Sequence, residues 1–292
     1  MGVSKVFRSV CLISGAVPGL LGAAELQAVT VKAWDEYIRN ADSRIQTQSE
    51  GARPFLWIDD SPGRREQVER GEIVVVPVAG HGTKSIQDGL VHDWMGAVFI
   101  PNTTVASLNR VLHDYNRYKD IYKPVVTHSK AIGCTDASQE FAMVWQRKVL
   151  FVSAAMQGQY LSRDIALDAH RGYNVADTTT VQEIEDYGHA NQKLLPPDTG
   201  RGFIWRIHSI ARYEETDGGV YLELEVMALT RDIPASVAWL VNPVVNHLSM
   251  NSLTTTLRQT RQAVTGLRGV PGLVAMCQPR GRHLEGASSV GE

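Results

Sequence analysis

Leu222–Val264 reads LELEVMALTRDIPASVAWLVNPVVNHLSMNSLTTTLRQTRQAV, and its change of period part-way along decides the fold. Up to Ala228 the apolar side chains fall on every second residue: Leu222, Leu224, Val226 and Ala228 alternate with Glu223 and Glu225. That is a strand with two unlike faces. Asp232 and Pro234 then supply a cap and a first-turn residue. From Ala235 the spacing becomes helical. Val237, Leu240, Val241, Val244, Val245, Leu248, Leu253, Leu257 and Val264 form one apolar stripe along roughly 45 Å of helix. Pro243 is expected to kink this helix or to split off its first turns. So long a stripe needs an extended apolar surface, and the concave side of an antiparallel sheet offers one.

Working back along the chain, the same alternation recurs. Phe203, Trp205, Ile207, Ser209 and Ala211 alternate with Arg206, His208 and Arg212. Asp217-Gly218-Gly219 lies between this run and the next and marks a hairpin. Phe141, Met143, Trp145, Val149 and Phe151 alternate with Glu140, Gln146 and Lys148. Such alternation predicts antiparallel strands with one wet and one buried face. At about 10–13 residues they exceed the usual 5–6, and long strands twist and curl into a concave surface. Further upstream, Gly89–Pro101 (GLVHDWMGAVFIP), Glu72–Ala79 and Arg53–Asp59 read as strands. Asn102, Thr103 and Thr104 are good N-cap residues for a short helix carrying Val105, Leu108, Val111, Leu112 and Tyr115. Residues 33–48 place Trp34, Tyr37, Ile38, Ala41 and Ile45 on one helical stripe. Gly80-His81-Gly82-Thr83-Lys84-Ser85 has the flavour of a phosphate loop but lacks its spacing and a following helix, so it reads as a hairpin loop.

The two ends differ from the body. Lys5 and Arg8 precede the uncharged run Ser9–Ala24, which closes on Gly22, Ala23 and Ala24. Basic, apolar, small-residue order is that of a secretory signal peptide, so residues 1–24 are expected to direct export. The run is short and interrupted for a membrane span. Residues 266–292, rich in Gly, Pro, Arg and Ser, read as a disordered tail. Beyond Cys11, Cys134 and Cys277 are too few for a disulfide framework. A net charge of −2 provides no electrostatic reason to expect nucleic acid as a partner.

Helix, strands, short helix, long antiparallel meander and long C-terminal helix is the order of a helix-grip α+β domain, here over residues 33–264. Two runs carry a resemblance to a family. GLVHDWMGAVFIPNTTVASLNRVLHDYNRYKDIYKPVV (Gly89–Val126) resembles the first long strand and short-helix region of the START-like, polyketide cyclase and lipid transport superfamily. Leu222–Val264 resembles its last strand and closing helix. The resemblance is to exported bacterial members, which implies a periplasmic or extracellular location. It also implies binding or transport of an apolar small molecule, lipid-like or polycyclic, in a cavity between sheet and closing helix, with no more than transient membrane contact. The alternative it implies is a cyclase or dehydratase acting on a polyketide-like substrate.

No catalytic motif maps onto the chain. The nine histidines show neither HExxH nor a Cys/His pair with zinc spacing, and there is no Gly-x-Ser-x-Gly elbow. No cofactor or metal is therefore expected, and the reading leans away from an enzyme. Glu183, Glu185 and Asp186 read as a solvated strand end. The candidate cavity residues are Phe141, Trp145, Arg147, Trp205, Leu224, Leu248, Thr255 and Gln259. Arg147 shares the face of Phe141, Met143 and Trp145. A buried guanidinium needs either a carboxylate partner, for which Asp164 and Glu183 are the candidates, or the anion of a ligand.

Overall fold

The computed structural model describes residues 22–267 except 52, 79, 136, 150 and 151. The predicted signal peptide, up to residue 21, and Cys277 lie outside the described residues. Most of the predicted tail does too, but Gly266 is the last residue of the closing helix and Leu267 its cap.

The core is one antiparallel sheet. Its strands are β2 (Val74–Pro77), β3 (Thr83–Ile86), β4 (Gly89–Pro101), β5 (Val126–Cys134), β6 (Gln139–Val149), β7 (Val152–Ala166), β8 (Arg171–Glu185), β11 (Arg206–Thr216) and β12 (Gly219–Arg231). In space they run β2-β4-β12-β11-β8-β7-β6-β5, with β3 also on β4 and the short β9 (Lys193–Leu194) on β8. A separate ribbon pairs β1 (Ala24–Glu25) with β10 (Thr199–Gly200). The Asp217-Gly218 turn joins β11 to β12 as expected, with Thr216 opposite Gly219. Register shifts in β5–β6 and in β7–β8, the latter between Gln159 and Tyr160, mark bulges where the sheet bends.

The closing helix α5 (Ala235–Gly266) lies across the concave face, and it is continuous through Pro243 instead of breaking there. Leu253 and Leu257 pack on Trp94, Val98 and Leu222. Gly96 makes this approach possible, because a Cβ there would stand 2.7 Å from Leu257 Cδ1. Helix α3 (Val105–Leu112) closes that end with Leu108 and Val111, its N-terminus capped by Thr104 accepting from the Ser107 amide. The outer edge strand β5 is braced by the turn at 115–117 and by α4 (Tyr118–Ile121): the Ala131 amide donates to Asn116 Oδ1, and the Lys119 amide to Ser129 Oγ.

The convex face is also covered, which corrects the expected wet face. Helix α1 (Ala28–Ser49) sets Trp34, Ala41 and Ile45 against Val91, Val175, Ile210, Met227 and Leu229. Residues 53–59, expected as a strand, instead lead into a 3-10 turn (Trp57–Asp60), and α2 (Arg64–Glu69) follows. The physical reason is local: the Trp57 and Ile58 amides donate to the Glu223 carboxylate at 3.0 and 2.9 Å, while Phe55, Leu56 and Ile58 pack on Ala97 and Tyr221.

Candidate functional site: the open end of the grip

Alternation along β6 points Phe141, Met143, Trp145 and Arg147 into the concavity, opposite Tyr160, Gly158, Met156 and Ala154 of β7. The first part of this row is filled by the protein itself. Tyr115, Phe141 and Tyr160 stack almost parallel, with centroids 4.1 and 4.7 Å apart. Tyr118 meets Tyr115 and Phe141 edge-on, and Tyr122 hydrogen-bonds Thr260 of α5 at 3.0 Å. Gly158 is required here, since a Cβ would lie 2.7 Å from the Trp145 ring and 2.8 Å from that of Tyr160. Phe141 and Trp145 are therefore wall rather than open lining, each buried by its neighbours.

Beyond Trp145 the interior opens. A cavity of about 570 Å³ is lined by Arg147, Ala154, Glu183, Phe203 and Leu248, among others, with Lys148, Glu185, Asp186 and His189 exposed at its rim. Its size suits a small molecule. Its lining mixes apolar and charged groups. Further along the concave face, Leu224, Val226, Ala228 and Ile207 lie under the helix layer yet are only half-buried, whereas Met227 and Leu229 on the back of the same sheet are fully buried (0 %). The grip is thus looser inside than behind.

Arg147 donates from Nη2 to Ser252 Oγ of α5 at 2.6 Å. Neither expected carboxylate partner meets it. Asp164 accepts from Asn174 and bonds His113 at 3.0 Å, a pairing that holds its carboxyl below the usual range against the opposing effect of burial. Glu183 is buried rather than solvated, and its two oxygens accept the Arg201 and Phe203 amides at 2.8 and 3.1 Å.

The other candidates are dispersed. Leu248 lines the cavity, and Leu224 lies on the concave face. Thr255 is half-buried on α5, and Gln259 donates to the Lys123 carbonyl, tying the helix to the loop before β5. Trp205 is on the opposite face, packed with Trp34, Val91, Met227 and Leu229 under α1. The alternation that suggested otherwise fails because β11 begins only at Arg206.

Sequence reasoning also missed a polar cluster beneath α1, buried at the sheet and open to solvent at Asp42, Arg44 and Asp177. Arg212 pairs with Glu223 at 3.2 Å and donates to Gln48 at 2.6 Å. Arg44 pairs with Glu225. Tyr37 donates to Asp93 Oδ2 at 2.7 Å. His208 bonds Asp177 at 2.6 Å and lies 3.6 Å from Asp42. The signal available was Asp93, a lone carboxylate in the apolar run Gly89–Pro101. Among the described residues no group of three or more His, Cys, Asp or Glu side chains is placed to hold a metal ion.

The architecture and this site define a helix-grip protein with a cavity at the open end of its grip. No protein-family model matches the chain, and no curated protein matches it. Among solved structures it is similar to a Thermus thermophilus protein at 12% identity and TM-score 0.43, covering 60% of this chain and 97% of that one. It is similar to a STAR-related lipid transfer protein from Xanthomonas axonopodis at 18% identity and TM-score 0.41, covering 63% and 99%. It is similar to an aromatase/cyclase from a Streptomyces species at 11% identity and TM-score 0.41, covering 63% and 99%. At these levels the likeness decides nothing about ligand or chemistry, which are argued from the site.

Proposed function

We propose that the protein binds or carries a hydrophobic small molecule, lipid-like or polycyclic, in the space between the sheet and α5. The observation that carries this reading is the contrast between the two faces of one sheet. On the concave face Leu224, Val226, Ala228 and Ile207 keep part of their surface accessible, while Val91, Met227 and Leu229 behind the sheet keep none. Apolar surface left open inside a folded protein is stabilised when a ligand covers it, by about 25 cal/mol per Å². The proposal includes a location outside the cytoplasm, supported by the basic, apolar and small-residue order of residues 1–24. Contact with a membrane would be transient, limited to loading and unloading.

Native mass spectrometry of the purified protein tests the binding. A co-purified apolar adduct, lost on organic extraction and restored on adding it back, is the expected result. A bare protein mass in every preparation, together with no brightening of Nile red, would remove the proposal.

A further inference from the structure

We infer that Arg147 and Ser252 form a subsite for the anionic end of an amphipathic ligand, a carboxylate or phosphate carried on an apolar body. The inference rests on the binding function proposed above and adds the chemical class of what is bound.

A guanidinium presents five N–H donors in a fixed fork. In Arg147 one of them is engaged by the neutral hydroxyl of Ser252. The side chain is half-buried and lines the cavity. Among the described residues it has no ion-pair partner. The two carboxylates on nearby strands are committed elsewhere, Asp164 to His113 and Asn174, Glu183 to two backbone amides. A desolvated charge without a counter-charge is costly, and burial accordingly pushes the Arg147 guanidinium below its usual pKa.

The surroundings leave room for the missing partner. The residue directly opposite Arg147 on β7 is Ala154, whose methyl group takes little space above the sheet. Phe203 and Leu248 supply apolar surface in the same cavity. The rim acids Glu185 and Asp186 are exposed, so their charge is screened by solvent. The result is a cation with free donors beside the apolar part of a mixed cavity, the arrangement in which a fork-shaped cation binds a planar or tetrahedral anion with two parallel hydrogen bonds.

Displacement of Nile red from the full-length protein by dodecanoate, dodecyl phosphate, dodecanol and inorganic phosphate tests this. The expected result is that both amphipathic anions displace the dye at concentrations at least about tenfold lower than dodecanol, the preference one charge-assisted contact provides. Inorganic phosphate alone should not displace it. Arg147→Met should erase the preference, read as the ratio of anion to dodecanol displacement within the same variant, and Arg147→Lys should retain part of it. Equal displacement by dodecanol and the anions, or a preference that survives Arg147→Met, would overturn the anion subsite while leaving apolar binding in place. Displacement by inorganic phosphate as effective as by dodecanoate would overturn the amphipathic ligand in favour of a free anion. If no amphiphile displaces the dye, the binding function falls, and the subsite with it.

Discussion

Arg212 is 2% exposed, and its Glu223 partner is 0% exposed. Desolvation pushes the Glu223 carboxyl up, and the Arg212 guanidinium beside it opposes that shift. The same carboxylate receives two amides of the turn at Trp57–Asp60, so one side chain fixes both a strand and the segment laid over it. Removing one member of such a buried pair strands the other. Arg212→Leu is expected to lower stability by about 3–5 kcal/mol, read as a shift in the urea midpoint with an unchanged slope. A loss below about 1 kcal/mol would mean that water reaches the pair. This network was hidden in the sequence for a specific reason. Glu223, Glu225, His208 and Arg212 sit at alternate positions and satisfy the pattern of a wet strand face. The side chains that descend from α1 (Tyr37, Arg44 and Gln48) and the turn over Glu223 show the face to be covered.

At the scale of elements, α1 is attached to the sheet partly through a titratable contact. Burial first, and then repulsion from Glu225, pushes Asp93 up from the usual 3.8 to about 7; the Tyr37 hydroxyl, Arg44 and His208 pull the other way. Glu223 and Arg212 complete the charges beneath the helix, with Asp177 and Asp42 on either side of His208. The docked state therefore holds the Asp93 proton more tightly than an exposed carboxyl does. Its contribution to docking is complete below about pH 4 and is lost as pH rises through about 7. Hydrogen exchange across residues 28–49, corrected for the intrinsic rate, should show α1 less protected at pH 8.5 than at pH 5.5. Asp93→Asn should flatten that difference, and an identical pH response in the variant would assign it to another group. Elements were otherwise legible to different degrees. The strand Gly89–Pro101 and the closing helix follow from periodicity because each is long and packs one stripe. Arg53–Asp59 does not, because its apolar residues are buried by a turn whose amides bond a side chain instead of a neighbouring strand.

The whole molecule is a sheet held between two helical layers, with different work on each side. The helix-grip architecture was legible from alternation followed by one long amphipathic helix. The candidate site was legible in part: Arg147 and Leu248 reach the cavity, but Phe141 and Trp145 belong to an aromatic wall and Trp205 to the opposite core. Period two tells which residues share a face, and it does not tell how much of that face the protein fills with its own rings. Export is a proposal that concerns residues 1–24. Produced in a bacterium with residues 1–24 intact, the protein is expected in the periplasm with Glu25 as its first residue, as N-terminal mass mapping would show. Accumulation in the cytoplasm with an uncut N-terminus would remove that expectation.

The sealing of charge behind the sheet has a consequence for how the protein responds to its medium. Mobile ions screen exposed charges within about 8–10 Å at physiological ionic strength and act far less on buried ones. Arg147 faces a cavity with solvated charges at its rim, whereas Asp93, Arg212, Glu223 and Glu225 are closed off under α1. Ionic strength therefore acts more strongly at the cavity than on the buried charges behind the sheet. A brackish or salt-rich surrounding would be expected to loosen the hold on the proposed charged guest more than it loosens the fold.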